Sequence, residues 1–260
     1  MKKQQLILIA GPCVVESEEV CFEVAEKVKS VCDELDIRYV FKSSYRKANR
    51  TKLDSFTGIG DEKALSILKA VRERYGVPVL TDIHSVEEVR LAADYVDILQ
   101  IPAFLCRQTD LLVAAGQSGL RVNIKKGQFL SADAMQFAAE KVESTGNKNI
   151  WLTERGNSFG YGDLVVDFRN IPIMQGFGYP VILDVTHAVQ QPNQGTGVTG
   201  GTPQFIATLA KAGVAAGVDG LFIETHPSPS KALSDGSNML PLDKIKSLLI
   251  GISGIRNAIS

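Results

Sequence analysis

Eight short apolar runs in this 260-residue chain each hand over to a residue able to do chemistry. In order they deliver Cys13, Lys42, Asp82, Gln100, Lys125-Lys126, Glu154-Arg155, Asp184 with His187, and Glu224 with His226. Two chemistries separate out. One set is cationic: Lys42, Lys47, Arg50, Arg107, Lys125, Lys126 and Arg155. Converging cations imply an anionic ligand, a phosphate or carboxylate, with Arg offering paired donors and Lys a point charge. The other set is Cys13, His187, Glu224 and Asp235, a thiol, an imidazole and two carboxylates, each a competent ligand for a divalent transition metal. Taken singly, each residue has a plainer reading. A lone lysine is usually solvated, and Cys13 passes for a small buried apolar residue. His187 passes for a hydrogen-bonded strand-end histidine, and Asp235 for a turn residue in Ser234-Asp235-Gly236-Ser237. No spacing rule identifies the ligand set; only a fold that brings strands one, seven and eight together would assemble it.

The elements that must position these residues repeat regularly. The apolar runs lie at residues 6–10, 39–41, 77–80, 96–101, 122–124, 150–152, 181–185 and 221–223. They do not alternate with polar residues, which is how strands buried on both faces of a parallel sheet read. Between them lie helical patterns at 18–35, 61–75, 85–94, 108–118, 131–144, 203–216 and 241–258. Helix 18–35 places Val20, Val24, Val28, Val31 and Leu35 on one face with Ser17 as N-cap, and helix 61–75 stops at Gly76. Strands alternating with helices predict βαβ units, and eight of them in about 250 residues predict a TIM (β/α)8 barrel forming one catalytic domain over 1–260. An open doubly wound sheet is the competing architecture; eight even repeats fit closure better. In a barrel the C-terminal strand ends and the loops after them build the active site, which is where the polar residues fall.

Composition narrows the function classes. The formal net charge is −1, so no global field recommends a nucleic-acid or anionic-membrane partner. No apolar run approaches the ~20 residues of a membrane span, and the apolar stretch 6–10 is too short for a signal peptide. Four cysteines do not make a disulfide framework, so a cytoplasmic, reduced setting is expected. Cys21 and Cys32 follow the apolar face of the first helix, Trp151 is expected to pack, and His84 reads as a helix-cap neighbour. His226 reads as a partner of the site's ligands or a stacking residue. The glycine-rich stretch Gly195, Gly197, Gly200 and Gly201 is long enough to be a functional lid.

Several motifs are specific. They include Ala10-Gly11-Pro12-Cys13, Phe41-Lys42-Ser43-Ser44, Lys47-Ala48-Asn49-Arg50, Thr81-Asp82-Ile83-His84 and the run from Gln100-Ile101-Pro102 to Asp110. Asn123-Ile124-Lys125-Lys126-Gly127-Gln128-Phe129, Thr153-Glu154-Arg155-Gly156, Asp184-Val185-Thr186-His187, Glu224-Thr225-His226-Pro227 and Ser234-Asp235-Gly236 follow. Through these, nearly end to end, the chain resembles the 3-deoxy-D-manno-octulosonate 8-phosphate synthases (2-dehydro-3-deoxyphosphooctonate aldolases), whose superfamily also holds the 3-deoxy-heptulosonate 7-phosphate synthases.

The resemblance implies a TIM barrel, a homotetramer, and a transferase that condenses phosphoenolpyruvate with D-arabinose 5-phosphate toward a lipopolysaccharide precursor. It implies that Lys126 and Arg155 hold the phosphoenolpyruvate phosphate, with Lys42, Ser44 and Gln100 nearby. Asn49, Arg50 and Thr51 would take the aldose and its phosphate, with Lys47 between the substrates and Arg107 reaching a neighbouring subunit's site. Lys47, Asp82, Lys126, His187 and Asp235 are the expected catalytic residues. Cys13, where the metal-independent form has Asn, implies the metal-dependent form, with His187, Glu224 and Asp235 as the other ligands; Fe, Zn, Mn or Co would each suit them. The chain departs from the family at Val198-Thr199-Gly200-Gly201-Thr202-Pro203, which lacks the usual basic residue after the glycines, and at Thr51, where Ser is usual. Three rival readings stand beside this one: a heptulosonate synthase using erythrose 4-phosphate, a Schiff-base aldolase on Lys125 or Lys126, and a non-catalytic sugar-phosphate sensor. Lys47-Ala48-Asn49-Arg50 disfavours the first, the phosphate-crowded lysine the second, and the full complement of strand-end ligands the third.

Overall fold

The computed structural model describes residues 5–50, 54–159, 162–192 and 200–259. Eight parallel strands form the barrel: β1 (Ile7–Gly11), β2 (Arg38–Lys42), β3 (Val79–Asp82), β4 (Ile98–Ile101), β5 (Arg121–Lys125), β6 (Ile150–Glu154), β7 (Val181–Asp184) and β8 (Gly220–His226). They pair in chain order, and β8 pairs back to β1 with Ile7 opposite Gly220 and Gly11 opposite Glu224. That pairing closes the sheet, so the predicted TIM barrel is the fold and the open sheet is excluded. Predicted strands 77–80 and 96–101 enter the ladder two residues late, at Val79 and Ile98. Pro78, which has no N–H to give, precedes the first of these starts.

Helices α1 (Glu18–Glu34), α2 (Asp61–Tyr75), α3 (Val86–Ala93), α4 (Thr109–Gln117), α5 (Met135–Glu143), α6 (Asn170–Gln175), α7 (Ile206–Ala215) and α8 (Ile245–Ala258) fill the intervals. Ser17 caps α1 by accepting from Val20 N at 3.3 Å, as its position predicts. Val24, Val28 and Val31 are buried on the inner face of α1, with Cys21 and Cys32 beside them. Gly76 ends α2 at φ 63°, a left-handed conformation that glycine adopts without penalty. Helices α7 and α8 begin later than their patterns suggest because 3₁₀ turns, Pro203–Phe205 and Leu242–Lys244, lead into them. Helix α6 has no counterpart in the sequence reading: it is six residues long and contains Pro172, too short for a period to register.

Strand alternation sorts the side chains into two environments. Ile7, Ile9, Val40, Leu80, Ile98, Trp151, Ile182 and Phe222 form an apolar cluster inside the barrel. Leu8, Phe41, Leu99, Val122, Ile124, Leu152 and Leu183 belong to the core shared with the helices. Both faces are therefore apolar, which is why the runs do not alternate. Trp151 closes the lower lumen, with Arg121 at 4.6 Å and Arg38 at 5.9 Å over its ring. Two residues further along the inward positions are Lys42, Asp82, Gln100, Asn123, Thr153, Asp184 and Glu224, all buried. A polar layer thus lies directly above the apolar one. At β1 the equivalent place is Gly11, where a Cβ would stand 1.9 Å from the Lys42 carbonyl oxygen, so only glycine lets the two strands approach.

Candidate active site at the barrel mouth

The polar layer is cross-linked around the lumen. Thr153 donates to Asn123 Oδ1 at 2.7 Å, Asn123 donates to Gln100 Oε1 at 2.8 Å, and Gln100 donates to Asp82. Ser44 donates to the other Asp82 oxygen and accepts from Lys47 Nζ at 3.0 Å. Opposite them, Lys42 Nζ meets Glu224 Oε1 at 2.5 Å and Lys125 Nζ meets Asp184 Oδ2 at 2.6 Å. Both ammonium groups lie over the Phe222 ring, at 5.4 and 3.8 Å. Burial pushes the carboxyls of Asp82, Asp184 and Glu224 upward, but the facing cations outweigh it and hold all three well below the usual range. Burial opposes the Lys47 ammonium as well, yet Cys13, Glu224, Asp82 and Asp235 around it raise it above the ordinary value.

A cavity opens above this layer. Its wall carries five cationic side chains, Lys42, Lys47, Arg50, Lys125 and Arg155, against two carboxylates, Asp82 and Asp235. Arg155 is fixed by donation to His187 O at 2.9 Å and to Gln190 Oε1 at 2.8 Å. Arg50 is fixed by donation to Phe56 O at 3.1 Å, to Asp235 Oδ1 at 3.4 Å and to Ser234 Oγ. Asn49, Gln100 and His187 also face the cavity. So does His84, whose Nδ1 and backbone N both meet Glu88 Oε2 at 2.9 Å; it does more than sit beside a cap.

Beside the cavity lies the thiol–carboxylate group. Cys13 Sγ is 3.0 Å from Ser234 Oγ and 3.5 Å from Asp235 Oδ2, and Cys13, Glu224 and Asp235 each place a ligand atom within 4.8 Å of the others. His187 is not part of that group, though its Nε2 is 3.6 Å from Glu224 Oε1. Burial, reinforced by the Glu224 charge, pushes the Cys13 thiol up to about 12. Among the described residues Glu224 Oε2 is buried with no hydrogen-bond partner. An orphaned carboxylate oxygen beside a thiol that cannot ionise unaided is the condition a bound dication relieves. The donor set therefore fits a divalent metal. Asp235 reaches it from the left-handed region, φ 46°, so the turn reading and the ligand reading hold together.

The geometry separates other predicted residues from the cavity. Lys126 is completely buried and turned away: its Nζ donates to Asn157 Oδ1 at 2.8 Å and Leu130 O at 3.2 Å, 3.5 Å from Glu154 Oε1. Lys125 occupies the wall instead. Strand alternation gives the reason, because Val122 and Ile124 face outward and Lys125 therefore faces the lumen. Ser44 lies beneath the wall, and Arg107 is exposed in a separate groove with Phe137 and Lys141. His226 turns away, with Nδ1 accepting from Ser228 N and Nε2 3.5 Å from Glu16 Oε2. Thr51 and residues 193–199, which include most of the expected lid, lie outside the described residues; Gly200–Gly201 returns to pair with Gln190–Gln191 at the site's edge. The sequence reading did not single out Asn123, Thr153, Ser234 or Gln190. The first two were open to it as inward positions of known strands; the last two reach their partners only through folded loops.

A closed (β/α)8 barrel with cations ringing its mouth beside a metal-suited thiol and carboxylates is an anion-handling barrel enzyme. The chain belongs to the DAHP synthetase I family, which it matches over residues 2–258. It is similar to a 2-dehydro-3-deoxyphosphooctonate aldolase of Desulfatibacillum aliphaticivorans, with 53% identity over 255 residues that make up 98% of this chain and 93% of the relative. Proteins of the same name from Koribacter versatilis and Brucella ovis are 53% and 55% identical, over 98% and 94% of this chain and 93% and 88% of their own lengths.

Proposed function

We propose that this site condenses phosphoenolpyruvate with D-arabinose 5-phosphate and water, giving 3-deoxy-D-manno-octulosonate 8-phosphate and inorganic phosphate, a step toward lipopolysaccharide. The observation that carries the reading is the juxtaposition of the cationic wall with the Cys13 group at the mouth of one barrel. Arg155 and Lys125, in place of Lys126, take the phosphoenolpyruvate phosphate, and Lys42 with Gln100 takes the carboxylate end. Asn49, Arg50 and Thr51 take the aldose phosphate. Lys47 stands between the two, its ammonium held by Ser44 and by the charge around it.

Holding two anions in contact is the first contribution, because fixed orientation supplies much of the rate in such a condensation. Carbon 3 of phosphoenolpyruvate bonds to the aldehyde carbon, and the charge that builds on the aldehyde oxygen is met by the Lys47 ammonium. Water adds at carbon 2, and the hemiketal phosphate that results expels phosphate toward Arg155 and Lys125. Asp82 holds Ser44 and Gln100 in place. His187 and Asp235 face the cavity where the water must be deprotonated. A divalent ion held by Cys13, His187, Glu224 and Asp235 would supply Lewis acidity at the reacting oxygens.

One catalytic unit spans 1–260 and acts in the cytoplasm; among the described residues no helix is long and apolar enough to cross a membrane. The unit assembles as a homotetramer, Arg107 completing a neighbour's aldose-phosphate site. Arg107 is exposed in a groove with Phe137, itself 65% exposed, and Phe104 and Phe129 are exposed too, the kind of apolar surface that marks protein contacts.

The test is phosphate release from phosphoenolpyruvate with arabinose 5-phosphate or erythrose 4-phosphate, each with and without chelator. Release with the pentose phosphate alone, lost to chelator and restored by a divalent metal, is expected. Release only with the tetrose phosphate would move the substrate, and full turnover after exhaustive chelation would remove the metal. Cys13→Ala is expected to lose metal and activity together.

A further inference from the structure

One buried carboxylate touches both halves of this site and has no role in the reading above. Asp184 ends β7 two residues beyond Ile182, so its side chain enters the lumen with no exposure to solvent. Its Oδ1 accepts the backbone N–H groups of Thr186 at 3.1 Å and His187 at 2.8 Å. Its Oδ2 accepts Lys125 Nζ at 2.6 Å and lies 2.7 Å from His187 Nδ1. Phe222 floors both groups, with the His187 ring centroid 5.6 Å from its own. The two side chains thus have one shared polar anchor on an apolar base.

The chemistry of that anchor is directional. An ionised carboxylate only accepts, so the His187 nitrogen facing it must carry the proton. Nδ1 is then N–H, and Nε2, 3.6 Å from Glu224 Oε1, is the nitrogen left for a metal. On the other side, Lys125 is held over Phe222 in the cavity wall. The structure assigns Asp184 as the positioning residue that sets the His187 tautomer for metal binding and aims Lys125 at the substrate anion. This rests on the metal-dependent condensation proposed above and adds the group that ties the metal and anion subsites together.

The chain has three histidines, so their ring nitrogens are resolvable by long-range ¹⁵N–¹H NMR on the metal-free protein, with His187→Gln assigning the signal. The expected wild-type result is a proton on His187 Nδ1; a ring protonated at Nε2 alone overturns the inference even if Asp184→Asn does not fold. Asp184→Asn is the second arm. Cobalt(II) titration, read from the thiolate-to-cobalt absorption of Cys13, is expected to show about 10–100-fold weaker binding, the usual effect of losing such a partner. The phosphoenolpyruvate KM is expected to rise as well. Lys125→Met should raise that KM and leave cobalt affinity unchanged. Wild type and Asp184→Asn binding cobalt alike, with equal KM, overturns the assignment. A wild-type protein that binds no cobalt overturns the metal reading itself, an outcome distinct from the first.

Discussion

Lys125 ends β5 and Lys126 follows it facing the other way, so steady-state kinetics should separate their removal. Lys125→Met takes one cation from the cavity wall and leaves Asp184 with its two backbone donors and His187. Asp184 is as buried as Glu154, so breaking its pair should lower stability too, by up to about 3–5 kcal/mol. Losing one charge-assisted hydrogen bond to a substrate phosphate costs about 1.5–3 kcal/mol, so the phosphoenolpyruvate KM should rise about 10–100-fold. Lys126→Met instead opens a fully buried pair: Glu154 is also fully buried and accepts from Arg155 N at 2.9 Å, Gly156 N at 2.6 Å and Asn170 Nδ2 at 2.8 Å. Breaking a buried pair from one side costs about 3–5 kcal/mol. With a urea slope of about 2–3 kcal/mol/M for a chain of this size, the midpoint should fall by about 1–2.5 M. Urea melts and steady-state kinetics on both variants provide the assay. A Lys126→Met protein with wild-type midpoint and a much raised phosphoenolpyruvate KM would refute the alternation argument and restore Lys126 to the substrate.

Other expectations follow from single contacts. Gly11→Ala places a Cβ 1.9 Å from the Lys42 carbonyl oxygen and must part β1 from β2; overpacking of this kind costs about 1–3 kcal/mol or more, and an unchanged melting temperature would count against it. Glu88 is buried, which raises its carboxyl, but hydrogen bonds from His84 outweigh this and hold it at about 2 against an ordinary 4.5. Its contribution is complete above pH 4.5 and lost as the pH falls toward 2, at most about 3 kcal/mol. Glu88→Gln should therefore flatten the acid limb of stability measured by urea melts from pH 5 to 2; parallel limbs would sink the argument.

How far the sequence carries depends on how local each cause is. The barrel was legible because burial of both strand faces leaves apolar runs that no surface strand shows, and because eight of them at even spacing favour closure. Most of the cationic wall was legible for the same reason, since Lys42 and Arg155 follow strand ends directly. Lys125 was readable as well: the outward positions of Val122 and Ile124 decide the matter, and a family pattern alone does not. Helix α6 was not, because six residues with Pro172 leave no period. Ser234 was beyond reach, as its contact with Cys13 joins residues 221 positions apart and exists only after β8 has met β1. Its neighbour Asp235 was found by chemical type, and its backbone, at φ 46°, belongs to the turn the sequence also suggested.

The charge arrangement also explains why the cations of the mouth are unlike one another. Lys42 and Lys125 are already paired with Glu224 and Asp184 before any ligand arrives. Lys47 and Arg155 are held by hydroxyl, carbonyl and amide oxygens, which fix direction without cancelling charge, whereas Arg50 also meets the Asp235 carboxylate at 3.4 Å. Lys47 and Arg155 therefore present most of the uncompensated positive charge at the wall. A dication among Cys13, Glu224 and Asp235 would draw on the same Glu224 that neutralises Lys42, and would free that ammonium for an incoming anion. Metal and phosphoenolpyruvate should then bind with positive coupling, each tightening the other by the same factor. Titrating phosphoenolpyruvate into metal-free and metal-loaded protein measures that factor, and equal affinities in the two forms would mean that Glu224 does not link the subsites.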